Sequence, residues 1–199
     1  RANSEIAEII AEAKIVDENA ENIAFRVYTQ DIDLDTSGFI DALEGANNNV
    51  APKPMIDHMN ANNDPREAWL FEKGQTATVF TGLDPTLTSG VQQQLLVDGA
   101  IAVYNRSVIS RNKWLPGTLI NAAEVNLILA EYYVRNGNGT TAKTYFEKAI
   151  RQSIEYYVRL GDKADVLTWK PTTEPTADEI NDYITKLLCN SHQKEDHHF

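Results

Sequence analysis

The sequence is poor in several features that mark particular protein classes. Its 199 residues include a single cysteine, Cys189, which excludes an internal disulfide. No run of about 18 apolar residues is present, so the sequence predicts no membrane-spanning helix. Basic residues are also scarce: 18 Lys and Arg stand against 29 Asp and Glu, for a net charge of −11. Because the positive charges do not cluster, a nucleic-acid-binding surface is not expected.

Motifs of the common enzyme classes are missing as well. The sequence contains no phosphate-binding glycine loop, no dinucleotide-binding fingerprint and no recognisable catalytic triad. With 42% hydrophobic residues the chain can still bury a core, most simply as one domain or part of one. We therefore expect a globular protein that is not an enzyme.

The clearest local pattern is a pair of helices between residues 119 and 160. Large and small side chains alternate there at the spacing of a tetratricopeptide-type hairpin, in which two antiparallel helices interlock. The residues at these spacings are Leu129, Ala130, Tyr133, Gly137, Ala142, Phe146 and Ala149. We predict helices over about 119–136 and 140–160, ended by Gly161. The side chains predicted to be buried between them are Tyr133, Phe146, Ala149 and Ile150.

The rest of the pattern predicts a mainly α protein with long irregular loops. Apolar periodicity indicates helices near residues 4–16, 55–61, 89–96 and 176–188. Capping boxes are expected at Ser89 with Gln92 and at Thr176 with Glu179. Residues 22–34 fit both a strand and a helix.

An acidic segment, residues 33–44, has the spacing of an EF-hand calcium loop. It places oxygen ligands at positions 1, 3, 5, 9 and 12, with Gly38 at the sharp turn. The predicted Ca²⁺ ligands are Asp33, Asp35, Ser37, Asp41 and Glu44, with the carbonyl of Phe39. Because EF-hands normally occur in pairs and no second loop fits, an acidic surface loop without metal is the alternative.

Several short sequence motifs around the hairpin follow one another in a distinctive order. They are Asp64-Pro65-Arg66, then Thr81-Gly82-Leu83-Asp84-Pro85, then residues 102–107, 120–131 and 149–157. In this order the chain resembles the C-terminal half of the SusD/RagB family, above all its SusD-like branch, over roughly residues 20–185.

The resemblance implies a fold, a location and a partner. Family members are lipid-anchored nutrient binders on the outer face of Bacteroidota outer membranes, where they cap a SusC-like TonB-dependent transporter. On that basis residues 1–186 are expected to form the C-terminal portion of one SusD-like domain, a fragment of a larger fold. Residues 187–199 depart from the family pattern and are expected to form a separate tail. The lipid anchor would lie outside this sequence.

The function implied is non-catalytic binding of a glycan or other nutrient oligomer. Trp114 lies in a predicted turn beside Arg111 and Asn112, and an exposed tryptophan face complements the apolar face of a sugar ring. We predict these three residues as ligand contacts, with core packing of Trp114 as the alternative. Trp69 and Trp169 are expected to be packing residues.

Two other functions remain open from the sequence. A calcium-binding regulatory protein would need a metal at residues 33–44 and a helix on both sides of that loop. A helical-repeat adaptor would need an exposed concave helical face without a pocket.

Overall fold

The computed structural model of the chain describes residues 2–25, 40–45 and 49–195. The helices are α1 (Ala2–Glu12), α2 (Lys53–Asn62), α3 (Glu67–Leu70), α4 (Ser89–Val97), α5 (Ala122–Arg135), α6 (Gly139–Asp162) and α7 (Ala177–Glu195). The strands are β1 (Ile23–Phe25), β2 (Phe71–Glu72), β3 (Val103–Tyr104) and β4 (Gly117–Ile120). A 3₁₀ turn covers Asn19–Glu21, and π-helical turns cover Asp41–Gly45 and Arg106–Ser110. The mainly α class is confirmed.

The chain divides into two compact units. The first comprises residues 1–27 and 116–156, and the second comprises residues 28–115 and 157–199. None of the helices in the described ranges is long and apolar enough to cross a lipid bilayer. Helix α7 runs past residue 186 to Glu195, and the separate tail at 187–199 stays a prediction.

The first unit contains the predicted hairpin, formed by α5 and the first part of α6. The Asn126 amide donates to Gln152 Oε1 at 2.9 Å, and the Tyr133 ring stacks on Tyr145 with centroids 5.4 Å apart. A later position in α5 therefore meets an earlier one in α6, so the helices are antiparallel. Helix α5 begins at Ala122 rather than near 119, because residues 117–120 pair with β1 as strand β4.

Burial within the hairpin agrees with the prediction at two of four positions. Ala149 is 1% exposed and Ile150 is 8% exposed. Tyr133 and Phe146 are only half-buried, so their predicted burial is wrong. Each helix of a hairpin covers one side of the other, which leaves large side chains at the margin of the contact partly open to solvent.

The second unit has its core around α2 and the β2–β3 pair. Strands β2 and β3 are antiparallel, with Phe71 opposite Tyr104 and their rings stacked at 5.2 Å. The buried cluster contains Ala51, Ile56, Met59, Leu70, Phe71 and Ala102. Helix α4 forms as predicted, but the predicted capping box of Ser89 and Gln92 does not. Its N-cap is Thr88, and the Gln92 amide donates to the Leu87 carbonyl.

Gly161 does not end helix α6, which continues to Asp162. A Cβ atom at Gly161 would lie 2.6 Å from Cζ3 of Trp69, closer than packed carbon atoms approach. The glycine therefore marks a place where the helix backbone lies against the Trp69 ring. Trp69 itself is 2% exposed, a packing residue as predicted.

Candidate functional site

Asn112, a predicted ligand contact, is a buried structural residue. Its side chain is 4% exposed, and its amide donates to the carbonyls of Val108 and Leu160 at 3.1 and 3.0 Å. Its Oδ1 accepts the backbone N–H of Trp114 at 3.0 Å. These bonds use both amide hydrogens, so the side chain is held inside the fold, and its role as a ligand contact stays a prediction.

Arg111 is held in an ion pair with Glu44. The guanidinium donates to both carboxylate oxygens, at 3.0 Å from Nε to Oε1 and 2.7 Å from Nη2 to Oε2. The Ser110 hydroxyl donates to the same carboxylate at 2.6 Å, and the hydrogen bond from Arg111 lowers the pKa of Glu44. Arg111 also lies over the Trp169 ring, 5.0 Å from its centroid. Glu44 and Trp169 thus hold Arg111 within the second unit, and its role as a ligand contact stays a prediction.

Trp114 is half-buried rather than an exposed platform. Trp169 is half-buried as well, and Arg106 lies over its ring at 3.8 Å from the centroid. Arg106 is in turn paired with Glu72 at 2.6 Å. Arginine stacked on tryptophan and paired with carboxylate is a stabilising arrangement that leaves few donors for a ligand.

Four of the six predicted calcium ligands lie outside the described residues: Asp33, Asp35, Ser37 and Phe39. Asp41 and Glu44 lie in a π-helical turn, and the Glu44 carboxylate is already neutralised by its arginine partner. Within the described ranges no group of His, Cys, Asp or Glu side chains could hold a metal ion. Calcium binding therefore finds no support in the structure.

A cavity of about 560 Å³ lies in the second unit, beside the turn that joins α2 to α3. Its volume falls within the range of small-molecule binding sites. Its walls come from the turn, from the segment before α7, and from α7 itself. The lining residues are Asn63, Asp64, Pro65, Glu67, Ala68, Trp69, Pro171, Thr173, Glu174, Pro175, Glu179, Asp182, Tyr183 and Lys186.

The turn wall is fixed by its own sequence. Asn63 caps α2 in the left-handed region, at a φ of 54°, which asparagine tolerates better than most residues. The Asp64 side chain accepts the backbone N–H of Arg66 at 2.9 Å, the side-chain turn that Asp favours before Pro65. Helix α3 then begins at Glu67.

A buried network joins this turn to α7. The Tyr183 hydroxyl donates to Asp64 Oδ2 at 2.7 Å, and Arg66 donates both to that hydroxyl and to the Asp64 carboxylate. Burial alone would raise the pKa of Asp64, but the hydrogen bonds and charge of Arg66 bring it below its ordinary value. Burial raises the pKa of Tyr183, so its hydroxyl stays protonated. The network is a permanent ion pair that positions two walls of the cavity.

Helix α7 presents one polar face to the cavity. Its predicted capping box is present: Glu179 Oε2 accepts the N–H of Thr176 at 2.7 Å, and the Thr176 hydroxyl accepts the N–H of Glu179 at 3.2 Å. With the helix start fixed, Glu179, Asp182, Tyr183 and Lys186 fall on one side at helical spacing and line the cavity together.

Glu67 is the most perturbed acid in the cavity. It is half-buried, and its Oε1 atom is fully buried without a hydrogen-bond partner among the described residues. Burial, and then the charge of Asp64, raise the pKa of Glu67 to about 7, against a smaller lowering by Lys73. Near neutral pH this side chain is present both as an acid that donates and as a carboxylate that accepts.

Sequence reasoning did not find the cavity acids. Glu67 follows a turn that was interpreted as structural, and Asp182 lies on an amphipathic helix where acidic residues are common. The two positions are more than a hundred residues apart, and no sequence motif links them. The only available signal was the capping box, which sets the face of α7 that points inward.

Comparison with known proteins identifies relatives of this fold. Residues 1–190 match a SusD-like family model described as "Starch-binding associating with outer membrane". No curated protein matches the chain. A SusD homologue from Bacteroides fragilis NCTC 9343 superposes with a TM-score of 0.73 at 20% identity, covering 92% of this chain and 40% of that protein.

Two further solved structures are similar. A Bacteroides vulgatus ATCC 8482 protein, described as an outer membrane protein with an inferred role in nutrient binding, gives a TM-score of 0.65 at 20% identity and covers 94% of this chain and 45% of that one. A chitin-binding protein gives a TM-score of 0.64 at 16% identity, covering 90% of this chain and 38% of that one. At these identities the likeness shows the fold, and the chain spans less than half the length of each relative.

Proposed function

We propose that this chain, which belongs to the SusD-like family described as starch-binding and associating with the outer membrane, forms part of a non-catalytic nutrient receptor. Its ligand would be a glycan or other nutrient oligomer, captured at the cell surface and passed to a SusC-like TonB-dependent transporter. A lipid anchor in the full-length protein would hold the receptor on the outer membrane.

The observation that carries this proposal is the family match over residues 1–190. It is supported by the cavity beside α7, whose lining combines three prolines with polar side chains from the turn and from α7. The ion pair between Asp64 and Arg66 holds those walls in place without a ligand, so little ordering entropy is lost on binding.

The proposed mechanism is capture without bond cleavage. The ligand would lie against the prolines of the cavity and exchange hydrogen bonds with the polar face of α7. Release of the ligand to the transporter would then require that the receptor binds the ligand with moderate rather than high affinity. The ring of Trp114 is half-buried and its neighbours Arg111 and Asn112 are committed to packing, so the cavity takes their place as the proposed ligand site.

Calorimetric titration of the 199-residue chain with maltoheptaose and with chitin and peptide oligomers tests the capture step. We expect saturable binding of at least one oligomer, recovered chemically unchanged after incubation. Lys186→Ala should weaken that binding, whereas Trp114→Ala should leave the affinity within about two-fold if the fold is intact. Absence of binding to every oligomer class would contradict the proposal.

The transporter step needs the full-length protein in its native membrane. Affinity purification from solubilised outer membranes should recover a TonB-dependent transporter together with the receptor. Recovery of the receptor without any transporter, after mild cross-linking, would contradict this part while leaving ligand capture intact.

A further inference from the structure

The turn that joins α5 to α6 contains two asparagine–glycine pairs in succession. They are Asn136-Gly137 and Asn138-Gly139, and all four residues are exposed to solvent. Asparagine is a thermally labile residue, above all before glycine, because a glycine nitrogen has no neighbouring Cβ that hinders its attack on the asparagine side chain. Sequence and exposure therefore permit conversion of either asparagine to aspartate and do not distinguish between them.

Asn136 is held by hydrogen bonds at both of the groups that must react. Its Nδ2 atom donates to the carbonyl of Tyr132 at 2.8 Å, which turns the side chain back toward α5. The N–H of Gly137 donates to the carbonyl of Val134 at 3.0 Å. Attack of Gly137 on Asn136 requires both hydrogen bonds to break, and each raises the barrier.

Asn138 is held differently, because it is the N-cap of α6. Its Oδ1 atom accepts the N–H of Thr141 at 3.1 Å, and its carbonyl accepts the N–H of Ala142 at 3.0 Å. The N–H of Gly139 belongs to the same first turn and has no acceptor among the residues that the structure describes. The attacking nitrogen of this pair therefore has no hydrogen bond to lose.

The cap also favours the reaction itself. Attack of the Gly139 nitrogen on Cγ of Asn138 places negative charge on Oδ1. The N–H of Thr141 already donates to this atom, so it stabilises that charge as a backbone donor does in an oxyanion hole. The positive end of the α6 dipole acts in the same direction.

We propose that Asn138 is a site of spontaneous deamidation and that Asn136 is protected from it. The Gly139 nitrogen bonds to Cγ and gives up its proton, the bond between Cγ and Nδ2 breaks, and ammonia leaves with that proton. Water then opens the cyclic imide at either of its carbonyls. The products are aspartate, with an ordinary backbone, and isoaspartate, whose backbone includes the former Cβ.

The two products have opposite effects on the hairpin. Aspartate keeps an oxygen for the N–H of Thr141 and adds a negative charge at the N-terminus of α6, where the helix dipole favours it. Isoaspartate lengthens the backbone by one atom and shortens the side chain, so the cap is lost. Deamidation of Asn138 therefore yields a stabilised and a destabilised form of the same hairpin.

Peptide mapping of the aged 199-residue chain tests the proposal. The folded protein is kept at pH 8 for several weeks, and cleavage after Arg135 and Lys143 then releases residues 136–143, which contain both asparagines. Tandem mass spectrometry locates the conversion, and methylation by an isoaspartyl methyltransferase measures isoaspartate. We expect Asn138 to be converted at least about five-fold faster than Asn136, a ratio that corresponds to about 1 kcal/mol, the contribution of one hydrogen bond.

Two controls separate the folded geometry from the sequence. In guanidinium chloride the hydrogen bonds of the turn are absent, so the two asparagines should be converted at similar rates. In the folded protein, Gly139→Ala adds a methyl group that has nothing within 4 Å of it, so the fold is kept. This variant should slow the conversion of Asn138 and leave that of Asn136 unchanged.

Equal conversion of the two asparagines in the folded chain, or faster conversion of Asn136, would overturn the proposal. So would a preference for Asn138 that persists in guanidinium chloride, because the sequence rather than the cap would then cause it. Survival of both asparagines in the folded chain, while the unfolded chain loses them, would show that the cap protects Asn138 instead. None of these results bears on ligand capture, which is measured separately.

Discussion

Replacing Glu67 by glutamine should flatten the pH dependence of stability between about pH 4.5 and 7. The pKa of Glu67 rises from an ordinary 4.5 to about 7 in the folded protein. The folded state therefore binds this proton more tightly than the unfolded state does. By linkage, its stabilising contribution is fully present below pH 4.5 and is lost as the pH rises through 7.

The magnitude follows from the size of the shift. One pKa unit corresponds to about 1.4 kcal/mol, so a shift from 4.5 to about 7 corresponds to roughly 3 kcal/mol before any correction. Glu67 is only half-buried, and solvent screens the charge of a group exposed to that extent. We therefore expect a loss of about 1–2 kcal/mol across this range of pH.

Urea unfolding at pH 4.5 and pH 7.5 measures the effect. The free energy of unfolding of the wild type should fall by about 1–2 kcal/mol more over this interval than that of Glu67→Gln. Asp64 is present in both proteins, so its own titration cancels in the difference to a first approximation. Glu131→Gln serves as the control, because that carboxylate is exposed on α5 beside Arg135.

The result that would refute this reasoning is specific. Equal falls in the wild type and in Glu67→Gln would mean that Glu67 ionises in the folded state as it does in the unfolded chain. The buried oxygen would then have found water or a partner, and burial together with the charge of Asp64 would be too weak to shift the pKa of Glu67. A larger fall in the variant would show that the sign of the shift is wrong.

Three other expectations do not involve the acids of the cavity. Gly161→Ala should lower the free energy of unfolding by roughly 1–2 kcal/mol, because the added methyl group meets Trp69 and this overpacking outweighs the gain in helix propensity. Gly139→Ala is the control, because nothing lies within 4 Å of the added methyl group there, and it should not destabilise the protein. Ala149→Leu should cost about 1–3 kcal/mol in urea unfolding, since this position is 1% exposed, and a cost near zero would show that the hairpin can open there. The melting temperature should be the same in chelator and in millimolar Ca²⁺, because Glu44 already has an arginine partner; a clear rise with Ca²⁺ would restore the EF-hand interpretation.

Most of the fold that could be predicted from the sequence was predicted by the periodic spacing of apolar residues. Helices α5, α6 and α7 follow from side chains recurring three or four residues apart, and the Thr176 and Glu179 box sets where α7 begins. The start of α5 was placed too early, since Leu119 and Ile120 continue the apolar pattern although their backbone pairs with β1. Periodicity does not distinguish these alternatives over so few residues.

The candidate site was largely unpredictable for a different reason. Arg111, Asn112 and Trp114 have the composition of a sugar site, but their partners, Glu44, Leu160 and Trp169, lie far away in the sequence. Whether a polar side chain serves packing or a ligand depends on those partners. A tertiary contact therefore decides the role, and a single sequence does not record it.

The turn at Asp64 connects stability with the proposed binding chemistry. Its carboxylate accepts hydrogen bonds from Arg66 and Tyr183 and so joins α7 to the end of α2. Burial, and after it the charge of Asp64, raises the pKa of Glu67, even though Arg66 pairs with Asp64. Arg66 is thus close enough to keep Asp64 ionised when buried, but does not cancel its field at the neighbouring acid. One structural ion pair thereby holds two walls of the cavity, and its carboxylate adds to the effect of burial on the pKa of Glu67.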